Sequence, residues 1–506
     1  LQRIELALWP SQASQKEAIM LDRRKFLRSA AAGGAMLALP FGAQAAQSEG
    51  GSVLDDMTVL RGALDLHPGL YRYNIPREIE DALAFLAPAF ARAESRAEQF
   101  VTLQRFLSTI RCGHTQCNFY NQSDAVVAEL FDRPTRVPFA FAWIGDAMVI
   151  TRDLSGTGTL APGTRITALN GIATSDILYR LLPLTRADGH NDGKRRSQLE
   201  MRNTDSFEYF DIYQGLLFPP ENGVHQINGQ RPDGSEFALE LPAIGLAQRK
   251  AGLAVPEDNN TDNPLWTWEM RGDVALLTMP TWVMYNTKWE WETWLDARLR
   301  GLSGARGLII DLRDNEGGNE CGNEILSRLA ERDIQFTGYR QLVRYRETPA
   351  NLDPFLQTWD RSFRKIGIGA EDVGGGFYQL PGKFEETDFI PARGPRLTVP
   401  VAALISPVCS SATFSFARRA KETGLVRLFG ETSGGNLRGI NGGAYFFVTL
   451  PGSGIEFDVP LIGNYPQVPQ PDAGVDPDVF IPRTIADLAA GRDACLEAAL
   501  TWVRTV

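Results

Sequence analysis

Two short runs, Leu308-Ile309-Ile310-Asp311-Leu312 and Val401-Ala402-Ala403-Leu404-Ile405, are apolar almost without a break. A strand with one wet face alternates apolar and polar residues. A run that does not alternate has both faces covered, which is the condition of a parallel sheet packed between helices. The surrounding sequence fits that condition. Val274 to Met279 is another apolar run, and 289–302 is helix-like. Ile325, Leu326 and Leu329 mark a further helix, 414–423 another, and Leu425 to Phe429 a strand. Strands joined by helices predict an α/β core, a mostly parallel sheet with packed helices, over residues 266–506. The stretch 350–395, with Gly374-Gly375-Gly376, interrupts the order and reads as a lid or a surface insertion.

The chain ahead of this core has a different texture. Ile79, Leu83, Leu86 and Phe90 recur at helical spacing, and Phe100, Leu103, Phe106 and Leu107 continue the pattern. Pro68, Pro76 and Pro88 should divide the segment into several helices, giving an N-terminal helical cap over 46–125. Residues 126–253 are β-rich: Val137 to Phe141, Ala147 to Ile150, then Ile166 to Leu169 closed by an Asn170-Gly171 turn. A polar linker, 254–265, leads into the core. Trp282, Trp289, Trp291 and Trp294 are expected to pack against the sheet.

Composition excludes some functions. Charged residues make up 22% and the net charge is −10, which argues against nucleic acid. The Lys194-Arg195-Arg196 run is expected to be a solvated patch. No CxxCH, iron–sulfur spacing or post-strand GxGxxG is present, so no cofactor is expected. Asp22-Arg23-Arg24-Lys25-Phe26-Leu27, a weakly apolar stretch and Ala43-Gln44-Ala45 resemble a twin-arginine export signal within 1–45. Residues 1–19, ahead of Met20, read as an upstream extension. The apolar stretch is shorter than the ~20 residues a span requires, so no stable membrane span is expected in the mature chain. The expected location is periplasmic or secreted. Five cysteines leave at least one thiol unpaired; Cys112 and Cys117 are the pair placed to bridge in an oxidising compartment.

The chemistry gathers where the two apolar strands end. Val401 to Ile405 runs into Ser406-Pro407-Val408-Cys409-Ser410-Ser411-Ala412-Thr413 and then a helix. A serine at that junction sits at the positive end of the helix dipole, which favours an alkoxide; serine is also a common N-cap. Leu308 to Leu312 runs into Arg313-Asp314-Asn315-Glu316-Gly317-Gly318-Asn319, where paired glycines let a substrate carbonyl approach the backbone at the sheet's carboxyl edge.

Together the segments GLIIDLRDNEGGN and SSATFSFA…LFGETSGGN resemble the two signatures of the tail-specific, C-terminal-processing serine proteases, the family of the tricorn core protease. Gly474-Val475-Asp476-Pro477-Asp478 resembles a third family segment, and the order of residues 160–182 resembles the core of a PDZ domain. The resemblance implies peptide-bond hydrolysis through an acyl-enzyme with Ser411 as nucleophile, Ser410 being the alternative. The oxyanion would rest on the N–H groups of Ala412 and of Gly317 or Gly318, with no metal. Where many members carry the lysine base, this chain has Asn436.

Four histidines exist, His67, His114, His190 and His225. Cys112-Gly113-His114-Thr115 resembles the Asp-Gly-His-Thr segment of members that pair serine with histidine, which makes His114 the implied base. Asp472 is the candidate orienting acid, and Glu456 a second. Cys112, His114 and Cys117 would make a metal cluster only with a further ligand. His67 is expected to pack, and His190 and His225 to be solvated. Protein or peptide substrates follow, unstructured or C-terminal segments above all. The alternative is a catalytically inactive peptide-binding protein on the same fold.

Overall fold

The structure is a computed structural model and describes residues 55–253, 260–285, 287–302, 304–336, 338–381 and 389–506. The export signal and the first part of the 254–265 linker lie outside the described residues. Among them, no helix is long and apolar enough to cross a membrane.

The cap comprises α1 (Asp56–Asp65), α2 (Pro76–Arg92), α3 (Arg96–Thr109) and α4 (Asp124–Leu130). Asp55, Ser95 and Ser123 cap three of them by accepting the N–H of Thr58, Glu98 and Val126. Ile79, Leu83, Leu86 and Phe90 form the buried stripe of α2. Pro88 does not end this helix; it lies inside it on an exposed position, where the freed carbonyl meets water while Leu86 and Phe90 hold the other face.

Strands β1 (Phe139–Ile144), β2 (Ala147–Asp153), β3 (Arg165–Leu169), β4 (Val224–Gln230) and β5 (Glu236–Pro242) follow one another in an antiparallel sheet. The Asn170-Gly171 turn has φ +53 and +75, the doubly positive pair a two-residue hairpin needs, and pairs Leu169 with Ile172. Helices α5 (Thr174–Leu181), α6 (Asp192–Gln198) and α7 (Tyr209–Leu217) sit within this part of the chain.

The core sheet contains β6 (Thr267–Arg271), β7 (Val274–Thr278), β8 (Gly307–Asp311), β9 (Val401–Ile405) and β10 (Arg427–Gly430). Its order is Val479–Phe480, β10, β9, β8, β7, β6, parallel except for the β6–β7 hairpin. The unbroken apolar runs have the predicted cause. Ile309, Ala402 and Leu404 pack on one face against Ala499 and Val503 of a C-terminal helix. Leu308, Ile310, Val401 and Ala403 pack on the other against α8 (Trp291–Arg300), α9 (Gly322–Leu329) and α10 (Ala412–Thr423). Trp266, Trp289, Trp291 and Trp294 form an edge-to-face cluster on that second face.

A second sheet is built on the long hairpin of β11 (Asn441–Thr449) and β12 (Glu456–Pro466). Parts of the 350–395 stretch belong to it: Leu356–Gln357 pairs with β11, and Phe377–Gln379 pairs with Glu371–Gly374 and with Tyr339–Val343. Phe446, Val448, Phe457 and Val459 of the hairpin share one apolar cluster with the cap and the antiparallel sheet.

Candidate active site

β8 and β9 are adjacent and parallel, so their loops leave the sheet side by side. The β8 loop is fixed by its own polar residues. Arg313 forms a fork with Asp311 and a second with Asp493. Asn315, fully buried, donates Nδ2 to Met279 O at 2.7 Å, while its Oδ1 accepts from Gly317 N at 2.8 Å and from Thr413 Oγ1 at 2.7 Å. One amide thereby joins the glycine loop to the first turn of α10.

The β9 loop is a tight turn held from beneath. Ser406 Oγ donates to Arg313 O at 2.5 Å and Cys409 Sγ to Leu312 O at 3.0 Å. Ser410 Oγ donates to Glu316 O at 3.2 Å. Ser411 follows with φ +52 and ψ −125, a conformation L-residues avoid, at the position just before α10. Its side chain makes no cap bond to the helix, contrary to an ordinary N-cap serine. A strained turn from strand to helix thrusts the hydroxyl outward beside the first-turn N–H groups.

Gly317 and Gly318 have φ +104 and +132. A Cβ on Gly317 would stand 2.8 Å from Ser411 Cβ and 2.9 Å from Ala412 N; one on Gly318 would stand 2.2 Å from Trp282 O. Backbone therefore comes as close to Ser411 and Ala412 as glycine permits. Gly317 departs from its expected oxyanion role, because its N–H is already donated to Asn315 Oδ1.

His114 arrives from the cap. Its loop is pinned on every side: Gly113 N donates to Asp188 Oδ1 at 2.8 Å, Cys117 N to Gln104 Oε1 at 2.8 Å, and Asn441 Nδ2 to Cys112 Sγ at 3.2 Å. His67 contributes the fourth pin. Gly69 N donates to its Nδ1 at 2.9 Å, so its Nε2 carries the proton and donates to Thr115 Oγ1 at 2.8 Å. Burial holds His67 neutral with a pKa of about 3, the packing role its sequence context suggested.

The His114 ring lies 6.1 Å from the Tyr445 ring and senses Arg186, Lys194 and Glu316. Burial, then the two cations, press its pKa down to about 3, against the pull of Glu316. Glu316 is the residue whose carbonyl accepts from Ser410, so the imidazole and the β9 serine turn border the same charged cluster. His114 Nδ1 is buried without a hydrogen-bond partner.

Asp472 is elsewhere engaged. Its Oδ2 accepts from His190 Nδ1 at 2.6 Å, and its Oδ1 from Asn436 Nδ2 at 2.7 Å and His190 N at 3.1 Å. Glu456 accepts from Thr449 Oγ1 and does not turn to the imidazole either. Neither carboxylate orients His114 in this structure. Asn436 is fully buried, and its amide also donates to Asp188 O. Lys421 is exposed and paired with Asp478.

Three other expectations are corrected. His225 is fully buried between Asn170 and Thr135 O. Cys112 and Cys117 are buried free thiols, as are the other three cysteines. Lys194 is 2% exposed, with Nζ on Glu316 Oε1 and Val408 O. The basic triplet Lys194-Arg195-Arg196 suggests a solvated patch, which Lys194 does not share. The run DGKRRSQ gives helical spacing but no sign of which face is covered. Among the described residues, no three His, Cys, Asp or Glu side chains gather as a metal site.

A buried parallel sheet that ends in a strained serine elbow and a glycine loop defines a serine-type peptidase. Residues 273–457 match the model of peptidase family S41, so this part of the chain carries a domain of that family. Two solved structures share the fold along nearly the whole chain. A crystal structure of a CPAF mutant has 15% identity and a TM-score of 0.60, covering 86% of this chain and 93% of its own. Mature CPAF complexed with lactacystin has 14% identity and a TM-score of 0.59, covering 89% and 97%. No curated protein matches the chain.

Proposed function

We propose that the protein is an exported endopeptidase that cuts unstructured or C-terminal segments of proteins, with Ser411 as nucleophile and His114 as general base. The observation that carries the reading is the Ser411 elbow, with positive φ, no capping bond and glycine backbone packed against it.

The neutral imidazole takes the Ser411 proton as the hydroxyl attacks the scissile carbonyl, and returns it to the leaving amine. The N–H groups of Ala412 and Gly318 receive the oxyanion. Ala412 N stands at the helix tip, where the dipole adds to its attraction. A second carbonyl attack, by water activated through His114, frees the acyl group. The antiparallel sheet with α5 acts as a PDZ-like module that takes an extended peptide end by strand addition.

A fluorophosphonate probe tests the assignment. Mass should be gained on Ser411 alone, and both labelling and turnover of an unfolded protein should vanish in S411A and fall steeply in H114A. Labelling of Ser410, or equal turnover by S411A, overturns it. The mature N-terminal mass after expression with the export signal tests processing at Ala45.

A further inference from the structure

A lysine buried to 2% exposure is unusual enough to need a reason. Lys194 lies on α6, outside the region that carries the family signatures. Its stem runs past Gly434, where a Cβ would stand 2.9 Å from Lys194 Cδ. Its Nζ then donates to Val408 O at 3.0 Å and to Glu316 Oε1 at 3.1 Å. Val408 belongs to the nucleophile turn and Glu316 to the glycine loop. One ammonium thus bridges the two loops that flank Ser411.

The bridge has support on both ends. Glu316 also faces Arg202 at 3.6 Å and Arg186 at 4.0 Å. Burial would raise its pKa, but Lys194 and the two arginines override this and hold it at about 2. Arg186 is itself fixed by Gln116 and Tyr209, so the cluster reaches the His114 loop as well. The helix that carries Lys194 is anchored by Asn191, whose Nδ2 donates to Ser433 O and Gly435 O, each at 2.8 Å.

We propose that Lys194 is a positioning residue for peptide hydrolysis: its ammonium locks the glycine loop to the nucleophile turn at the spacing that lets Gly318 and Ala412 share one oxyanion. The proposal rests on the Ser411–His114 reading. The same charge has a second consequence. The groups His114 senses are Arg186, Lys194 and Glu316, with the Tyr445 phenol and the Cys112 thiol alongside as neutral neighbours. A cation there favours the neutral, proton-accepting imidazole.

Two variants of the full chain test this, Lys194→Met and Glu316→Gln, each checked for folding by thermal melting. A 1 Å misplacement of donors costs about a hundredfold, so each should lower kcat by roughly that factor while KM changes little. The acid limb of fluorophosphonate labelling should move in opposite directions. K194M removes a cation from beside His114, so its limb rises to higher pH; E316Q removes an anion, so its limb falls. Mere loosening of the fold would not produce opposite shifts. If K194M fails to fold, the E316Q limb decides. Unchanged kcat in the folded variants, or limbs that shift together, overturns the proposal. S411A run in parallel separates the two claims: an active S411A defeats the assignment of the nucleophile, whereas a dead S411A beside a fully active K194M defeats only the role of Lys194.

Discussion

The loops of β8 and β9 and the loop of His114 border the same charged cluster by different physics. β8 and β9 are neighbours in a sheet buried on both faces, so their carboxyl ends coincide whatever the rest of the chain does. Their fine geometry is set by residues inside the two segments themselves, through Asn315, Ser406, Cys409 and the two glycines. His114 has no such local guarantee. It is placed by His67, Asp188 and Asn441, which come from three distant stretches of chain, and by Gln104 of the preceding helix α3. The proposed nucleophile and oxyanion donors are therefore encoded mainly within their own two segments, with Lys194 of α6 bridging them, and the proposed base by tertiary packing.

The sharpest way to break this contrast is to remove one member of each kind. Loss of a nucleophile that acts as part of a unit costs on the order of 10⁶ in kcat. S411A should show that full loss in hydrolysis of an unfolded protein, with the melting temperature held or raised as backbone strain is undisturbed. Loss of a general base costs about 10²–10⁴. H114A should fall in that range and keep a residual rate supported by the oxyanion donors. If S411A keeps more activity than H114A, the Ser411 hydroxyl is not the nucleophile and the local half of the contrast fails. The pH profile sharpens the point. His114 is depressed by burial and by Arg186 and Lys194, so it stays unprotonated on acidification. The acid limb of kcat/KM should lie well below the ordinary imidazole pKa of about 6.5; a limb near that value would mean the ring is solvated in the working enzyme.

The glycine loop comes next in size. A methyl group on Gly318 would press on Trp282 O and require φ +132 of a residue with a side chain. G318A should displace the donor and lower kcat by about 10²–10³, with KM within a few-fold. A comparable loss in G272A, a glycine of positive φ in the β6–β7 turn remote from the cleft, would show that the effect is general destabilisation.

What could be read beforehand follows the same division. The α/β core and the glycine loop were legible because burial on both faces and paired glycines leave marks within five or six residues, whereas the serine at the strand–helix junction could equally cap the helix and Ser411 stood out only through likeness to a family segment. His114 was legible only through likeness to a family segment. The choice between Gly317 and Gly318 was not legible because nothing in Asn315-Glu316-Gly317 tells that the asparagine turns back onto the glycine N–H. Lys194 and His225 were misread for a related reason. A polar residue in a polar neighbourhood is buried only when a distant surface closes over it, here the nucleophile turn over Lys194 and Thr135 over His225. The partner of Asp472 depended on the same kind of closure.

That partner gives the smallest effect and the finest test. His114 and His190 both stand at the junction of the N-terminal layers with the core, yet only His190 has a carboxylate. It is 57% exposed at the side chain, and Asp472 is 20% exposed, with Arg438 a further 3.6 Å from the carboxylate. Its hydrogen bonds to His190 and Asn436 outweigh its partial burial and lower the Asp472 pKa. A pair this open to solvent is worth about 1 kcal/mol or less. D472N should lower stability by about that amount at pH 6 and leave kcat/KM within about fivefold of the parent. The loss should shrink on acidification, since a depressed carboxylate contributes only above its own pKa. If D472N instead matches H114A in kcat, then Asp472 turns to His114 in the working enzyme. The locally placed serine would in that case draw even its orienting acid from a rearrangement between the two parts of the chain.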